Sequence, residues 1–370
     1  MGLLDRYLAK EILLPFLAAM LFLTQLLLMT QILARDDILF GASVTALDIA
    51  GVAAALLPHL LGYVMPVAFL LGAIVGVGRL AEDREVMAIG AAGLSPVRLV
   101  RVPLVIGAVV AVVGLWFSTS VEPAGLREAR LRFNELIKRK LTANVRPGTF
   151  FDEIPGYTVF AARVGPEGWG DVLISDRSDP AAPMLALARR GKLEPVGSEE
   201  EMRLVLEQGE VHREDPGGDE YVRASFQTAG LSLGVGTALT DRNALSGSTK
   251  ELTQEELATL AVPTEERTPE QARGYLAAYH RRLAAPLAVL GFALMAVPLA
   301  AMRRGGRAAA IGASIGAVLV QYLLLRAGEV MAQRGTLPAA MALQLSNLVL
   351  ITVGLVLCAV LERRGPGVVR

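Results

Sequence analysis

The sequence predicts a helical membrane protein with six transmembrane helices and an all-β domain inserted after the third. Its composition is 53% hydrophobic with a mean hydropathy of +0.47, which is apolar for a chain that is also 19% charged. The charges are segregated, because well over half of them lie within residues 122–282. Long charge-free runs lie on both sides of that segment, and short alternating runs lie inside it. Membrane helices on either side of a water-exposed domain follow from this pattern.

Charge-free runs of about 18 residues or more are long enough to cross a bilayer core of roughly 30 Å as helices. Six such runs occur: Ile12–Leu33, Ile49–Gly78, Val102–Val121, Leu283–Met302, Ala308–Leu325 and Gly335–Leu361. The second run is unusually long and contains Pro58 and Pro66. It is therefore predicted to be an interfacial approach helix over 47–57 followed by a span over 60–78.

Basic residues in the short loops predict the orientation of the spans. Twelve lysines and arginines lie at the chain ends and in the loops after the second and fourth spans. The short loops of the other side hold three, Arg35, Arg326 and Arg334. Both termini and the 79–101 loop are therefore predicted to be cytoplasmic. The large charged domain then lies outside the cytoplasm.

An amphipathic helix is predicted to open the external domain at Val121–Leu141, with Pro123 near its first turn. One side carries apolar residues at helical spacing, and the other side is strongly basic. Two placements fit this pattern. The helix packs on its own domain, or it lies along the membrane surface.

The following segment, from Arg146, consists of short β-type runs between turns rich in Gly, Pro, Asp and Ser. The runs are "GTFF", "YTVFAARV", "DVLISD", "MLALARRG", "MRLVLEQGEV" and "YVRASFQTAGLSL", and they predict an antiparallel sandwich or barrel-like sheet. An exposed sheet edge makes the domain a candidate docking module. Thr253 and Thr268 then begin helices, the second running into the fourth span. The predicted domains are 1–121, 122–275 and 276–370.

No catalytic, metal or cofactor site is predicted for this chain. It lacks a phosphate-binding glycine loop and a G-x-S-x-G or H-E-x-x-H motif, and Cys358 is its one cysteine. The formal net charge of +0 gives no case for nucleic-acid binding. The spans hold almost no ionisable residues, unlike those of ion-coupled transporters. Any transport therefore needs an external energy source, and an apolar path suits a lipid.

The stretch "AEDREVMAIGAAGLSP", Ala81–Pro96, joins the second and third spans. A helix of about 80–96 with exposed charge suits docking to a separate ATPase. Glu82, Arg84 and Glu85 are predicted to make charge-assisted contacts with that partner. Small residues such as Ala91 and Gly93 allow close approach, and Ser95 sets the turn into the third span. The alternative is a solvated interfacial loop.

Four segments together resemble the LptF/LptG family, the permease subunits of the lipopolysaccharide exporter. They are "DREVMAIGAAGLSP", the N-terminal "LLDRYLAKEILLPFLAAMLFLTQLLL", "RPGTFF" at Arg146–Phe151, and "HRRLAAPLAVLGFALMAVPLA" at His280–Ala300. They lie in the family's order over nearly the whole chain. The resemblance implies six spans and a jelly-roll-like periplasmic domain in the inner membrane of a Gram-negative bacterium.

The resemblance also implies partners and roles. The chain pairs with a second LptF/LptG-like permease and an LptB-like ATPase dimer, which uses ATP and Mg. Lipopolysaccharide enters from the outer leaflet near the first and fifth spans and passes to LptC-like and LptA-like periplasmic β-jelly-roll proteins. Glu85 matches the acidic position that meets the ATPase, and Gly93 and Ser95 match the motif. Candidate lipid-binding residues are Arg35, Arg281, Arg282 and Arg326, with interfacial anchoring as their alternative role.

Two other functions fit parts of the pattern. An ATPase-driven mechanotransmitting or scaffold protein, which does not itself carry substrate, would also have a coupling helix and an external domain. A lipid-modifying membrane enzyme is disfavoured, because the sequence shows no polar active-site cluster. A wide apolar chamber open to lipid distinguishes the exporter from the scaffold.

Overall fold

The computed structural model describes residues 2–40, 44–144, 146–154, 156–165, 168–177, 183–196, 201–214, 221–232, 249–264, 267–301 and 306–364. The chain forms two compact units. The helical unit comprises Met1–Met29, Leu57–Gly125 and Thr249–Arg370, and the sheet unit comprises Thr30–Leu56 and Leu126–Ser248.

Among the described residues, six helices are long and apolar enough to span a membrane, which confirms the predicted number. In chain order the helices are α1 (Leu3–Leu33), α2 (Asp36–Leu39), α3 (Ala46–Glu82), α4 (Glu85–Ala91), α5 (Arg101–Trp116), α6 (Glu122–Asn144), α7 (Gln254–Leu260), α8 (Pro269–Ala301), α9 (Gly306–Arg334) and α10 (Ala339–Arg364). The spans are α1, α3, α5 with its continuation, α8, α9 and α10. Three of them precede the strands and three follow.

The second span is a single helix, so the predicted break between an approach helix and a span is wrong. α3 runs for 37 residues straight through Pro58 and Pro66. Each proline removes one backbone hydrogen bond, whereas a break inside an apolar environment would leave several backbone groups unsatisfied. The continuous helix therefore has the lower free energy. The helix nevertheless changes unit between Leu56 and Leu57, next to the position where the break was predicted.

The third span also continues without a break, so Pro123 does not begin a new helix. α5 passes through a π-helical turn, Phe117–Val121, directly into α6. Pro123 lacks the N–H that an α-helix needs at this point, and a wide π-turn just before it accommodates the missing donor. The apolar side of α6 is buried within the chain at Leu126, Ala129, Phe133 and Leu136. At these positions packing on the protein itself is the correct alternative.

The described residues of the inserted segment form one six-stranded antiparallel sheet in the order β1-β2-β3-β4-β5-β6, which confirms the predicted all-β insertion. The strands are β1 (Phe150–Ile154), β2 (Tyr157–Gly165), β3 (Gly168–Asp176), β4 (Met184–Val196), β5 (Glu201–Glu214) and β6 (Tyr221–Ser232). Each matches one of the six predicted runs. Val159, Ile174 and Ala186 are cross-strand partners and all are buried, so one face of the sheet is apolar.

Both predicted helix starts after the sheet are present. Thr253 caps α7, accepting a bond from the Glu256 N–H while the Glu256 carboxylate accepts one from the Thr253 N–H. Thr268 and Gln271 make the same reciprocal pair at the start of α8. α8 then continues to Ala301 as the fourth span, as predicted.

Candidate functional site

The loop between the second and third spans begins with a sharp change of direction. α3 ends at Glu82, and Arg84 adopts a left-handed backbone conformation with φ of 61°. Residues other than glycine rarely adopt this conformation. It turns the chain out of the α3 axis, and α4 starts at Glu85. The predicted helix of about 80–96 is therefore realised as the last turn of α3 and a separate seven-residue helix.

The "GLSP" sequence forms two consecutive caps. The Gly93 N–H bonds the Gly90 carbonyl and the Leu94 N–H bonds the Ile89 carbonyl, which is a Schellman motif at the end of α4. Gly93 has a φ of 83°, which explains why glycine stands there. The Ser95 Oγ then accepts a bond from the Val97 N–H and caps a short 3₁₀ helix, Pro96–Val100. The predicted turn at Ser95 is thus a backbone cap.

α4 presents small side chains and charge on its outer side. Val86 is buried, and Glu85 is half-buried with one oxygen accepting a bond from the Tyr7 hydroxyl at 3.2 Å. The remaining surface is exposed and consists of Glu82, Asp83, Arg84, Met87, Ala88, Ala91, Ala92 and Gly93. This exposed set, together with Glu85, is called the α4 surface below. A partner backbone can approach alanine and glycine closely, with charged groups at the rim.

A buried ion-pairing arrangement lies at the opposite end of the helical unit. The His59 Nδ1 is 2.8 Å from the Glu122 Oε1, and both residues are buried. The Tyr63 ring packs edge-on against His59 at 5.0 Å between centroids. Buried ionisable groups in apolar surroundings need such partners, and inside membrane proteins they commonly mark functional positions.

Three cations lie around Glu329 and Tyr63 at this same end. The Arg326 Nη1 is 2.6 Å from one Glu329 oxygen, and the Arg281 Nη1 is 3.5 Å from the other. The Lys250 ammonium lies 6.0 Å from the centre of the Tyr63 ring. Burial lowers the pKa of Lys250, the charge of Arg281 lowers it further, and Glu122 and Glu329 act in the opposite direction. Lys250, Arg281, Arg326, Glu329, Glu122 and His59 are called the ionic cluster below.

Arg282 is turned into the protein beside the ionic cluster. It is buried, and its guanidinium donates to the backbone carbonyls of Leu252, Thr249 and Lys250. These bonds fix the start of the segment that returns from the sheet. Its predicted lipid contact stays a prediction, and the described contacts are those of a residue that holds the backbone.

Arg35 belongs to the sheet unit. It is 3% exposed, its Nη1 donates to the backbone and side-chain oxygens of Gln31, and its guanidinium carbon lies 5.2 Å from the Phe133 ring centre. Its Nε has no hydrogen-bond partner among the described residues. Burial lowers the pKa of Arg35 to about 10.

Sequence reasoning missed His59, Glu122, Lys250 and Tyr7. Two of them carried a signal: His59 is the one histidine inside a charge-free run, and Glu122 directly follows another. Two consecutive spans that each carry an ionisable residue within or at the end of the apolar run are candidates for an ion pair between them. Lys250 and Tyr7 carried no comparable signal, because each lies beside other polar residues in the sequence.

In the part of the chain that the structure describes, six apolar helices, an inserted antiparallel sheet and an exposed short helix between the second and third spans define a polytopic membrane protein with an inserted β domain. Residues 6–359 match the family described as lipopolysaccharide export system permease LptF/LptG. The chain belongs to this family, which confirms the resemblance noted in its sequence motifs. The comparison with curated proteins found no significant match.

Family membership establishes the general role. The chain is an integral inner-membrane protein and a permease of the lipopolysaccharide export system. The family is one of permease subunits rather than hydrolases.

Proposed function

We propose that this chain is the permease subunit of an ATP-driven exporter that extracts lipopolysaccharide, or a related glycolipid, from the outer leaflet and passes it to a periplasmic bridge. The observation that carries the proposal is the α4 surface, a short, exposed, small-residue helix between two spans of a family permease. An LptB-like ATPase dimer docks there, and a second LptF/LptG-like permease completes the transporter. The termini and α4 lie in the cytoplasm, and the sheet lies in the periplasm, where it meets LptC-like and LptA-like proteins.

The exposure of the spans supports lipid entry beside the first and fifth of them. In an apolar stretch of 18 residues, only 17% of the residues of α1 and 22% of those of α9 are buried. In the corresponding stretch of α8, 67% are buried. α1 exposes Leu21 and Phe22, and α9 exposes Leu319 and Leu323. Large apolar surfaces on these two helices fit contact with acyl chains or with the second permease.

The ionic cluster supports recognition of an anionic headgroup. Lys250, Arg281 and Arg326 place three cations around two carboxylates, which leaves an excess of positive charge. Arg326 keeps about half of its side chain exposed, so it is accessible to a ligand. Phosphate groups of a glycolipid match these cations. Arg35 is a separate candidate, since its buried guanidinium has an Nε that no described residue satisfies.

Photo-crosslinking tests the substrate. A crosslinking amino acid at Leu33 or Leu325 is expected to label lipopolysaccharide in native membranes, and labelling should increase when the ATPase is active. A crosslinker at the buried Leu343 is the control and should label neither glycolipid nor phospholipid. Labelling of bulk phospholipid alone at the two test positions would favour the mechanotransmitting scaffold.

Charge removal tests the ionic cluster. Lys250→Met and Arg326→Met are expected to reduce crosslinking to lipopolysaccharide, because each removes a cation available to a phosphate. Arg334→Met, at the end of the same helix, is the matched control. Equal labelling in all three variants would remove the cluster from the substrate path.

A further inference from the structure

A side-chain hydrogen bond joins the start of α1 to α4, and the sequence did not reveal it. The Tyr7 hydroxyl donates to the Glu85 Oε1 at 3.2 Å, across 78 positions of the chain. Val86 is buried beside this contact, so α4 is seated on the helical unit at its first turn. This bond restrains the orientation of Glu85, whose other oxygen has no hydrogen-bond partner among the described residues.

A second bond lies one helical turn further along α1. The Arg79 Nη1 donates to the Glu11 Oε2 at 3.1 Å, and Arg79 belongs to the last turn of α3. Tyr7 and Glu11 are four residues apart and lie on the same side of α1. Together they connect α1 to both helices that flank the left-handed turn at Arg84.

The backbones of α1 and α3 are in direct contact just above these bonds. A Cβ atom on Gly72 would come within 2.5 Å of the Phe16 Cα, and one on Gly76 would overlap the Glu11 carbonyl oxygen. Pro15 has no N–H with which to bond that carbonyl within α1. Glycine at both positions lets the two helices pack without a gap, so residues 7–16 of α1 are fixed to α3.

The remainder of α1 is covered on one side only, where Thr24 is buried and Ala19, Met20 and Leu23 pack against the core. Leu8, Ile12 and Phe16 are buried, whereas Leu17, Leu21 and Phe22 beyond Pro15 are exposed. The end of α1 that carries Tyr7 is thus attached to α3 and α4, and beyond Phe16 the helix keeps one side on the core and exposes the other. A displacement of α4 can therefore pass into α1 through the attached end.

We infer that Tyr7 is a positioning residue for Glu85, and that the Tyr7–Glu85 and Glu11–Arg79 bonds make α1 move together with α4. Movement of α4 imposed by the ATPase is then delivered to α1 through these two contacts. The inference rests on the proposed function, in which an ATPase docks on the α4 surface. It adds the connection by which docking reaches a span that exposes its apolar side chains.

The test uses the full transporter reconstituted in vesicles, with two readouts: ATP hydrolysis and lipopolysaccharide released per ATP hydrolysed. Tyr7→Phe removes one oxygen and keeps the ring. It is expected to leave ATPase binding and most hydrolysis intact and to lower release per ATP by about two- to tenfold, the range of one hydrogen bond. Tyr275→Phe on α8 is the matched control and should match the wild type in both readouts.

Two combinations separate positioning from general stability. If Tyr7 acts through Glu85, Tyr7→Phe has no further effect in a Glu85→Ala background. Glu11→Arg and Arg79→Glu should each lower release per ATP, and the double exchange should restore it. A normal ratio in Tyr7→Phe, an additive effect in the double variant, or failure of the exchange to rescue would each overturn the inference.

The same experiment distinguishes failure of the underlying proposal. If Glu85→Ala leaves ATPase binding and coupling unchanged, docking at the α4 surface is wrong. If Glu85→Ala uncouples the transporter and Tyr7→Phe does not, only the positioning role is wrong.

Discussion

The two ends of the helical unit each hold an ion pair, one exposed and one buried. Near α4 the charges are exposed, and Arg79 keeps 63% of its side chain accessible while it binds Glu11. At the ionic cluster His59 and Glu122 are almost fully covered. Exposed pairs contribute little stability but are available to partners. A buried pair that loses one member leaves an uncompensated polar group, so it holds helices in fixed positions.

This difference predicts that changes at the buried His59–Glu122 pair mainly affect folding and changes at α4 mainly affect coupling. The sheet unit gives a reference for ordinary surface pairs, since Glu210 and Arg223 form an exposed pair on neighbouring strands. The Arg223 guanidinium lowers the pKa of Glu210 by hydrogen bonding. Such a carboxylate contributes stability above its unfolded pKa and loses the contribution as the pH falls through its folded pKa.

The largest expected effect is on stability, from removal of Glu122. Glu122→Ala leaves the buried His59 without its 2.8 Å partner and is expected to lower the free energy of unfolding by about 3 kcal/mol. Thermal unfolding of the purified protein in detergent measures the change. Glu128→Ala, which breaks an exposed pair with Arg132 on the same helix, is the control and should cost under about 0.5 kcal/mol. Equal losses in the two variants would contradict the contrast between buried and exposed pairs.

The next effect is on assembly, from Glu85. Glu85→Arg reverses a charge on the α4 surface and is expected to weaken ATPase binding by more than about tenfold, as for a charge at an interface. Expression and the unfolding temperature should remain close to the wild type, because Glu85 is half-buried and its described bond is to Tyr7. Pull-down with the ATPase measures the change, and Glu270→Arg in the first turn of α8 is the control.

A normal yield of the ATPase complex with Glu85→Arg would show that the exposed charges near α4 are merely solvated. Loss of expression would give Glu85 the same structural role as the buried Glu122. Either result would remove the distinction between the two ends.

Much of this arrangement could be predicted from local sequence signals. Hydropathy identified six spans, alternation identified six strands, and the caps at Thr253 and Thr268 followed from their side chains. These features depend on neighbours within a few residues. The breaks predicted at Pro58 and Pro123 were wrong because the cost of opening a helix in an apolar environment outweighs the local preference of proline.

The site residues also divide into those with a local sequence signal and those that depend on distant parts of the chain. The turn at Ser95 was predictable because it is a backbone cap within one short motif. Gly93 was predicted to allow close approach to a partner, which stays a prediction, and its cap at the end of α4 was not foreseen. The pairing of His59 with Glu122 joins positions 63 apart, and that of Tyr7 with Glu85 joins positions 78 apart. Such pairs depend on how the spans pack. Small residues such as Gly72 and Gly76 allow close packing, but the sequence does not show which helix they pack against.

The smallest expected effect comes from Gly93 and separates the role of the α4 backbone from that of the charges on the α4 surface. Gly93→Ala places a Cβ in open space but forces alanine to adopt a φ near 83°, which costs about 1 kcal/mol. Because the strain falls on the Schellman turn that orients α4, ATPase affinity should fall by about tenfold or less, with little change in unfolding temperature. Gly78→Ala also meets open space but has ordinary helical geometry, so it should bind normally. Wild-type affinity in both variants would mean that the partner reads the charges of the α4 surface and not the path of its backbone.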